Sequence, residues 1–147
     1  MLPPRSDLHF LLFDWLKAES LSEDPEFNHL DRESTVAMID AALALATAEF
    51  LSHAAKSDAN PPTIIDGQVK IIPEVAQALS AYREAGFFGM QTPLAEGGLG
   101  LPYTVVSAIG AVFSTANVAT NGYAFLTQAA ANLIREAGSE HQKQRYL

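Results

Sequence analysis

The residues of this sequence that could carry chemistry are four histidines, a set of scattered carboxylates and a run of glycines. No two histidines have the i, i+4 spacing that lets one helix face present both rings to a metal ion, and the chain has no cysteine to complete such a site. We therefore expect exposed or core positions, rather than metal ligation, for the histidines: His9, His29, His53 and His141.

The glycines at positions 97, 98 and 100 raise the question of a phosphate-binding loop. A dinucleotide-binding fingerprint follows a strand and opens a helix, and no strand is predicted before this loop. Glycine also tolerates positive φ, so a tight turn between two helices accounts for Gly97, Gly98 and Gly100. No G-x-S-x-G motif is present, and Ser107 and Ser114 have apolar surroundings without a nearby base.

The charge balance excludes several classes of partner. The chain carries 9 Lys+Arg against 17 Asp+Glu, a formal net charge of -8. Its basic residues form no cluster beyond Lys143 and Arg145, so neither nucleic acid nor an anionic membrane surface is expected as a partner.

The composition, 48% hydrophobic and 18% charged, is typical of a globular protein with a substantial core. The first residues do not form a convincing signal peptide, because Asp7, His9 and Asp14 interrupt the apolar run. No membrane span is predicted, and we expect a cytoplasmic location, with which the absence of cysteine is compatible.

Apolar spacing and capping residues predict an all-α fold of about six helices with very little strand. An N-terminal helix and an acidic loop occupy residues 1–30, and the main helical domain covers residues 31–147. Asp66-Gly67 lies within an irregular connection that holds at most a small hairpin. The predicted helices run from Asp7, as N-cap, to Ala18, from Asp31 to Lys56, from Pro73 to Ala85, from Tyr103 to Thr115, from Val118 to Ala137, and from Ser139 onward.

Two ordered motifs resemble the acyl-CoA dehydrogenase family. The loop G-F-F-G-M-Q-T-P-L-A-E-G-G-L-G-L-P, residues 86–102, is similar to the family pattern that leads into a helix through a double glycine. The segment A-G-S-E-H-Q-K-Q-R-Y-L, residues 137–147, resembles the end of the family's N-terminal domain. The resemblance therefore implies an N-terminal helical domain of an acyl-CoA dehydrogenase.

One branch of the family, similar to 3-methylmercaptopropionyl-CoA dehydrogenase, matches further segments. Residues 4–12 resemble its opening P-x-R-D-x-x-F-L-L segment. An F-S-x-A-N segment followed by Y-x-x-L-T also resembles that branch, and it comprises Phe113, Ser114, Ala116, Asn117, Tyr123, Leu126 and Thr127. Leu94-Ala95-Glu96 and Ala111-Val112 depart from acidic positions common in the family, which bears on the substrate.

The resemblance implies oxidation of an acyl-CoA thioester with FAD as hydride acceptor, in a protein that assembles as a homo-oligomer. It places the flavin contacts and the carboxylate base in a β-domain and a C-terminal domain that follow this segment. The chain is therefore expected to be truncated before them, to bind no FAD by itself and to carry no catalytic residue. By family position, the acyl pocket is lined by Gly122, Tyr123, Phe125, Leu126 and Ala129.

Three alternatives stay open at this point. The same apolar pattern in residues 122–130 is produced by ordinary core packing. The chain could be a stand-alone helical interaction module derived from this fold, without enzymatic activity. An unrelated helical bundle that binds an apolar ligand would require both motif matches to be coincidental.

Overall fold

The computed structural model describes residues 2–147, which fold as six α-helices and one small hairpin. This confirms the predicted all-α class. The hairpin pairs β1 (Thr63–Ile65) with β2 (Gln68–Lys70) in antiparallel register. The helices are α1 (Arg5–His9), α2 (Arg32–Leu45), α3 (Ala54–Ala59), α4 (Pro73–Glu84), α5 (Tyr103–Ala137) and α6 (Glu140–Tyr146).

The first helix begins earlier than predicted, and Asp7 is not its N-cap. Pro4 is the cap residue, and its carbonyl accepts from the N–H groups of Asp7 and Leu8 at 3.1 and 3.2 Å. Proline suits this boundary because its fixed φ leads into the first turn and it has no N–H to satisfy. The helix continues in π-helical form over Phe10–Trp15 and ends before Lys17, whose φ is 52°. It therefore stops short of Ala18, and a 3₁₀-helix (Ala18–Glu23) occupies part of the predicted acidic loop.

The long second helix starts at the predicted cap. Asp31 accepts from the Ser34 N–H at 2.7 Å, and the Ser34 hydroxyl accepts in return from the Asp31 N–H at 3.2 Å. This reciprocal capping box satisfies two of the N–H groups that a helix start leaves free. The chain stays helical to Ala59, but it passes through a π-helical segment (Ala46–Phe50) and a 3₁₀ segment (Leu51–His53) between α2 and α3.

The hairpin turn is made by Asp66 and Gly67, whose φ values are 51° and 73°. Positive φ at both central residues defines the turn type that suits a two-residue hairpin. The short strands confirm the predicted small hairpin. Pro73 then occupies the first turn of α4, and Gly86, at φ 80°, follows its end as predicted.

The two predicted helices on either side of residue 117 form one continuous helix with a kink. Asn117 has φ -162° and ψ 93°, an extended conformation between helical neighbours. The predicted boundary is therefore present as a kink within α5. Gly138 follows α5, and a Ser139–Gln142 capping box starts α6, both as predicted.

The core is built around aromatic rings from four elements. The Phe113 ring on α5 lies 4.8 Å from the rings of both Phe50 and Tyr82 and 5.2 Å from that of Phe87. Tilted and edge-on pairs at such separations add to the stabilisation from burial. The N-terminal residues Leu8, Leu12 and Phe13 join the same core cluster.

Two helical stretches, Arg32–Ala59 and Tyr103–Ala137, are long and apolar enough to cross a membrane by length and composition alone. Buried core helices of soluble proteins meet the same criterion. Both stretches contribute core residues here, among them Ile39 and Ile109, which have no exposed surface.

Candidate functional site

The second half of α5, after Asn117, presents large apolar side chains on its surface. Val118 is 72% exposed, Phe125 62%, Leu126 66% and Leu133 67%. The first half differs, because Ile109, Val112 and Phe113 are fully buried. Within residues 2–147, the second half of α5 is thus a helix with an uncovered apolar face, a feature associated with interaction sites.

Three cavities border this half-helix. The largest, of about 930 Å³, has charged lining residues, namely Arg83, Glu96, Arg135 and Lys143. The other two, called cavity A and cavity B, have none. Cavity A, of about 290 Å³, lies between α5, the end of α3 and the base of the hairpin. Its walls are mainly apolar, with hydroxyl groups from α3 and α5 and the amide of Asn60, which follows α3. The lining residues are Ser57, Asn60, Pro62, Ile71, Ile72, Val75, Ala119, Thr120, Gly122, Tyr123 and Leu126.

Cavity B, of about 480 Å³, lies on another side of the same helix. It is lined by both halves of α5, by Tyr82 of α4 and by the loop before α5. None of its lining residues is an Asp, Glu, Lys or Arg, and the same holds for cavity A. The α5 residues are Tyr103, Val106, Ser107, Gly110, Ala111 and Ser114 before the kink, and Asn121, Phe125, Gln128, Ala129 and Asn132 after it.

The structure distributes the predicted site residues over these two cavities. Gly122, Tyr123 and Leu126 line cavity A, whereas Phe125 and Ala129 line cavity B. Helix geometry explains the division: residues four apart share a face, while adjacent residues point about 100° apart. The predicted set thus occupies one half-helix but does not converge on one cavity.

A polar cluster, which we call the clasp, joins α5 at its kink to α3 and to the 3₁₀ segment before α3. It consists of His53, Ser57, Asn117 and Thr120. His53 Nε2 lies 2.9 Å from the Thr120 hydroxyl oxygen, and both residues are buried. Thr120 and Ser57 also line cavity A.

Asn117 is the centre of the clasp. Its Nδ2 donates to the Phe50 carbonyl at 3.2 Å and to the Ser57 hydroxyl at 3.1 Å. Its Oδ1 accepts from the Thr120 N–H at 3.1 Å. Sequence reasoning noted Asn117 as part of a motif but missed this role. The available signal was a polar residue with low helix propensity between two apolar helical segments.

The glycine loop after α4 is closed by its own backbone. The N–H groups of Gly97, Gly98 and Gly100 donate to the carbonyls of Leu94, Pro93 and Thr92, at 3.0, 3.1 and 2.9 Å. A cradle for phosphate requires free N–H groups that point at the ligand. The N–H groups of Gly97, Gly98 and Gly100 are already used, so these glycines do not provide a cradle for the diphosphate of FAD.

Close approach accounts for Gly98. A Cβ built there lies 2.1 Å from the Thr92 carbonyl oxygen, so no larger residue fits without a shift of the backbone. Gly97 adopts φ 84°. Turn geometry, the interpretation favoured from the sequence, agrees with both positions.

The ionisable groups with shifted pKa values lie outside both cavities, apart from Tyr82. Arg5 lowers the pKa of Asp40, and Lys56 lowers the pKa of Glu74, through hydrogen-bonded ion pairs at the surface. Burial raises the pKa of Tyr82 to about 12, partly offset by a hydrogen bond with Gln128. The Tyr82 phenol therefore stays neutral beside cavity B.

The histidines lie apart from one another in different surroundings. His29 Nε2 lies 3.1 Å from the Leu99 carbonyl oxygen and ties the loop before α2 to the glycine loop, whereas His141 is exposed. His9 packs edge-on against Phe13. Within the described part of the chain, no three His, Asp or Glu side chains come together as a group that could hold a metal ion.

The fold and the site define an all-helical domain that carries uncharged cavities on one kinked helix. A sequence model described as the acyl-CoA dehydrogenase N-terminal domain matches residues 32–147. The chain therefore belongs to the acyl-CoA dehydrogenase family, whose members are generally FAD-dependent. In a comparison with curated proteins, no match was found.

Proposed function

We propose that this chain is the N-terminal helical domain of an FAD-dependent acyl-CoA dehydrogenase and that the second half of α5 forms one wall of its acyl pocket. The observation that carries the proposal is the combination of the family match over residues 32–147 with two uncharged cavities on that half-helix. Acyl-chain sites require apolar walls with few polar groups, and these cavities meet that requirement.

The proposed reaction in the complete protein is oxidation of an acyl-CoA thioester to its 2,3-enoyl form. FAD supplies the hydride acceptor when bound. The glycines of the loop after α4 provide no cradle for its diphosphate, so we assign flavin binding and the carboxylate base to domains that pack on this one. This chain contributes apolar surface and orientation to the pocket, and cavities A and B hold no carboxylate.

Cavity B is the better candidate for the acyl chain. Its volume of about 480 Å³ is within the range typical of small-molecule pockets. Phe125 and Ala129 form its wall after the kink, and the small residues Gly110 and Ala111 leave room before it. Gly122, Tyr123 and Leu126 border the neighbouring cavity A, and we place them at the margin of the acyl site.

The exposed apolar side chains of α5 support packing against further domains. Val118, Phe125, Leu126 and Leu133 would lose contact with water when a β-domain covers them.

The matches of residues 4–12 and of the Asn117 segment support placement in the 3-methylmercaptopropionyl-CoA dehydrogenase-like branch. We further propose that the complete protein is a homo-oligomer.

A thermal-shift series on the full-length protein tests the proposed substrate class. Acyl-CoAs that bind the native state should raise its melting temperature in a concentration-dependent way, and free CoA provides the control without an acyl chain. A uniform response to free CoA and all acyl-CoAs, or no response to any of them, would contradict an acyl site. The second outcome would favour a helical interaction module.

A further inference from the structure

The clasp connects two places where helix geometry changes. Asn117 lies at the kink of α5, and its Nδ2 donates to the carbonyl of Phe50, the last residue of the π-helical segment between α2 and α3. The same Nδ2 donates to Ser57 Oγ, while the Ser57 hydroxyl lies 3.0 Å from the His53 carbonyl oxygen. The kink of α5 is therefore fixed against the break in the neighbouring long helix.

Asn117 also starts the second half of α5. Its backbone is extended, as at the N-cap of a helix, and its side-chain oxygen accepts from the N–H of Thr120, at the third position of the new half-helix. This is the hydrogen bond that an N-cap asparagine makes. One side chain thus both begins the half-helix and attaches it to the helix beside it.

Cavity B spans this kink. Val106, Gly110 and Ser114 line it from the first half of α5, and Phe125 and Ala129 line it from the second half. Its width therefore depends on the angle between the two halves. The first half is fixed by the aromatic core. The second half is attached at its start by the clasp and further along by hydrogen bonds from Gln128, Asn132 and Arg135 to the loop after α4, so the clasp sets the angle at the kink itself.

We propose that Asn117 is a positioning residue that determines which acyl chains fit cavity B, by fixing the kink of α5 through the Phe50 carbonyl and the Thr120 N–H. The inference rests on the proposed function and deepens it. Asn117 lines neither cavity A nor cavity B. It acts on the acyl chain through the position of Phe125 and Ala129.

Two substitutions separate the two tasks of Asn117. Asn117→Ala removes the cap and the attachment together. Asn117→Ser keeps a short acceptor for the Thr120 N–H but does not reach the Phe50 carbonyl. Thr115→Ala is the matched control, because Thr115 is exposed, lies beside the kink and lines neither cavity.

The first measurement concerns the geometry of this chain. It has no cysteine, so Glu33→Cys and Glu136→Cys provide two exposed sites for spin labels on α2 and on the end of α5. Pulsed electron paramagnetic resonance should show a shifted or broadened distance distribution in both Asn117 variants and an unchanged one in Thr115→Ala. An unchanged distribution in the Asn117 variants overturns the proposal.

The second measurement concerns specificity in the flavoprotein that contains this chain. In the Asn117 variants, the ratio of kcat/KM for long to short acyl-CoAs should change about tenfold, the scale of a misfit of one methylene group, and stay constant in Thr115→Ala. Loss of activity in equal proportion for every chain length would indicate a merely structural role and overturn the proposal.

The two proposals fail in different ways. If the unsubstituted flavoprotein oxidises no acyl-CoA, the proposed function is wrong and this inference falls with it. If the unsubstituted protein is active and the Asn117 variants keep its chain-length ratio, only the inference is wrong. Should Asn117→Ala fail to fold, Asn117→Ser carries both measurements.

Discussion

His53 Nε2 lies 2.9 Å from the hydroxyl oxygen of Thr120, and this buried contact joins residues 67 positions apart in the sequence. Thr120 has no exposed surface and His53 is 3% exposed. A buried polar pair of this kind is costly to break on one side, because the remaining partner has no access to water.

Thr120→Val keeps the shape of the side chain and removes its hydroxyl. The change leaves His53 Nε2 without its partner, so we expect the free energy of unfolding to fall by about 1–3 kcal/mol. Urea unfolding followed by circular dichroism measures this. Thr127→Val is the control, because Thr127 is exposed and bonds only within α5. Equal effects of the two changes would show that the buried pair has no special importance.

Two glycines should respond to alanine in opposite directions. At Gly98 the new Cβ would lie 2.1 Å from the Thr92 carbonyl oxygen, whereas at Gly110, within α5, it meets nothing within 4 Å. Gly110→Ala should therefore stabilise the protein by about 0.5–1 kcal/mol, through its higher helix propensity. Gly98→Ala should destabilise it by more than about 1 kcal/mol. Melting temperatures of both variants decide this, and a stable Gly98→Ala protein would contradict the close packing described here.

The helix cap at Asp31 makes the free energy of unfolding depend on pH in the acidic range. The hydrogen bond from the Ser34 N–H lowers the pKa of Asp31 in the folded protein. Its stabilising contribution is therefore fully present above the unfolded pKa of about 3.9 and is lost as the pH falls through the lower folded value. Asp31→Asn keeps a capping side chain without titration, so its melting temperature should fall less between neutral pH and about pH 2. Parallel pH profiles for the two proteins would exclude this contribution.

Local signals predicted the features that depend on neighbouring residues. The cap at Asp31, the turn at Asp66-Gly67, the proline start of α4 and the break before residue 118 all follow from side chains within a few positions of the feature. The same reasoning gave the wrong start for α1. It assigned the N-cap to Asp7, but the helix already begins after Pro4.

The remaining features depend on contacts between distant parts of the chain. Asn117 donates a hydrogen bond to the Phe50 carbonyl, 67 positions away in the sequence, and no periodicity of the sequence predicts such a pair. Phe125 and Leu126 line different cavities, and this too depends on which elements pack on each side of α5. The sequence therefore directed attention to this half-helix as a candidate site, but the structure was needed to describe its two sides.

Replacing each of two neighbouring alanines by leucine tests most directly the central claim that α5 forms a wall of the acyl pocket. Ala129 lines cavity B, whereas its exposed neighbour Ala130 lines neither cavity A nor cavity B. In the flavoprotein that contains this chain, Ala129→Leu should lower kcat/KM for long acyl-CoAs by about tenfold or more relative to short ones, because the added atoms fill the pocket. Ala130→Leu should leave that ratio unchanged. If the two variants have the same chain-length profile as the unsubstituted protein, α5 does not form a wall of the acyl pocket.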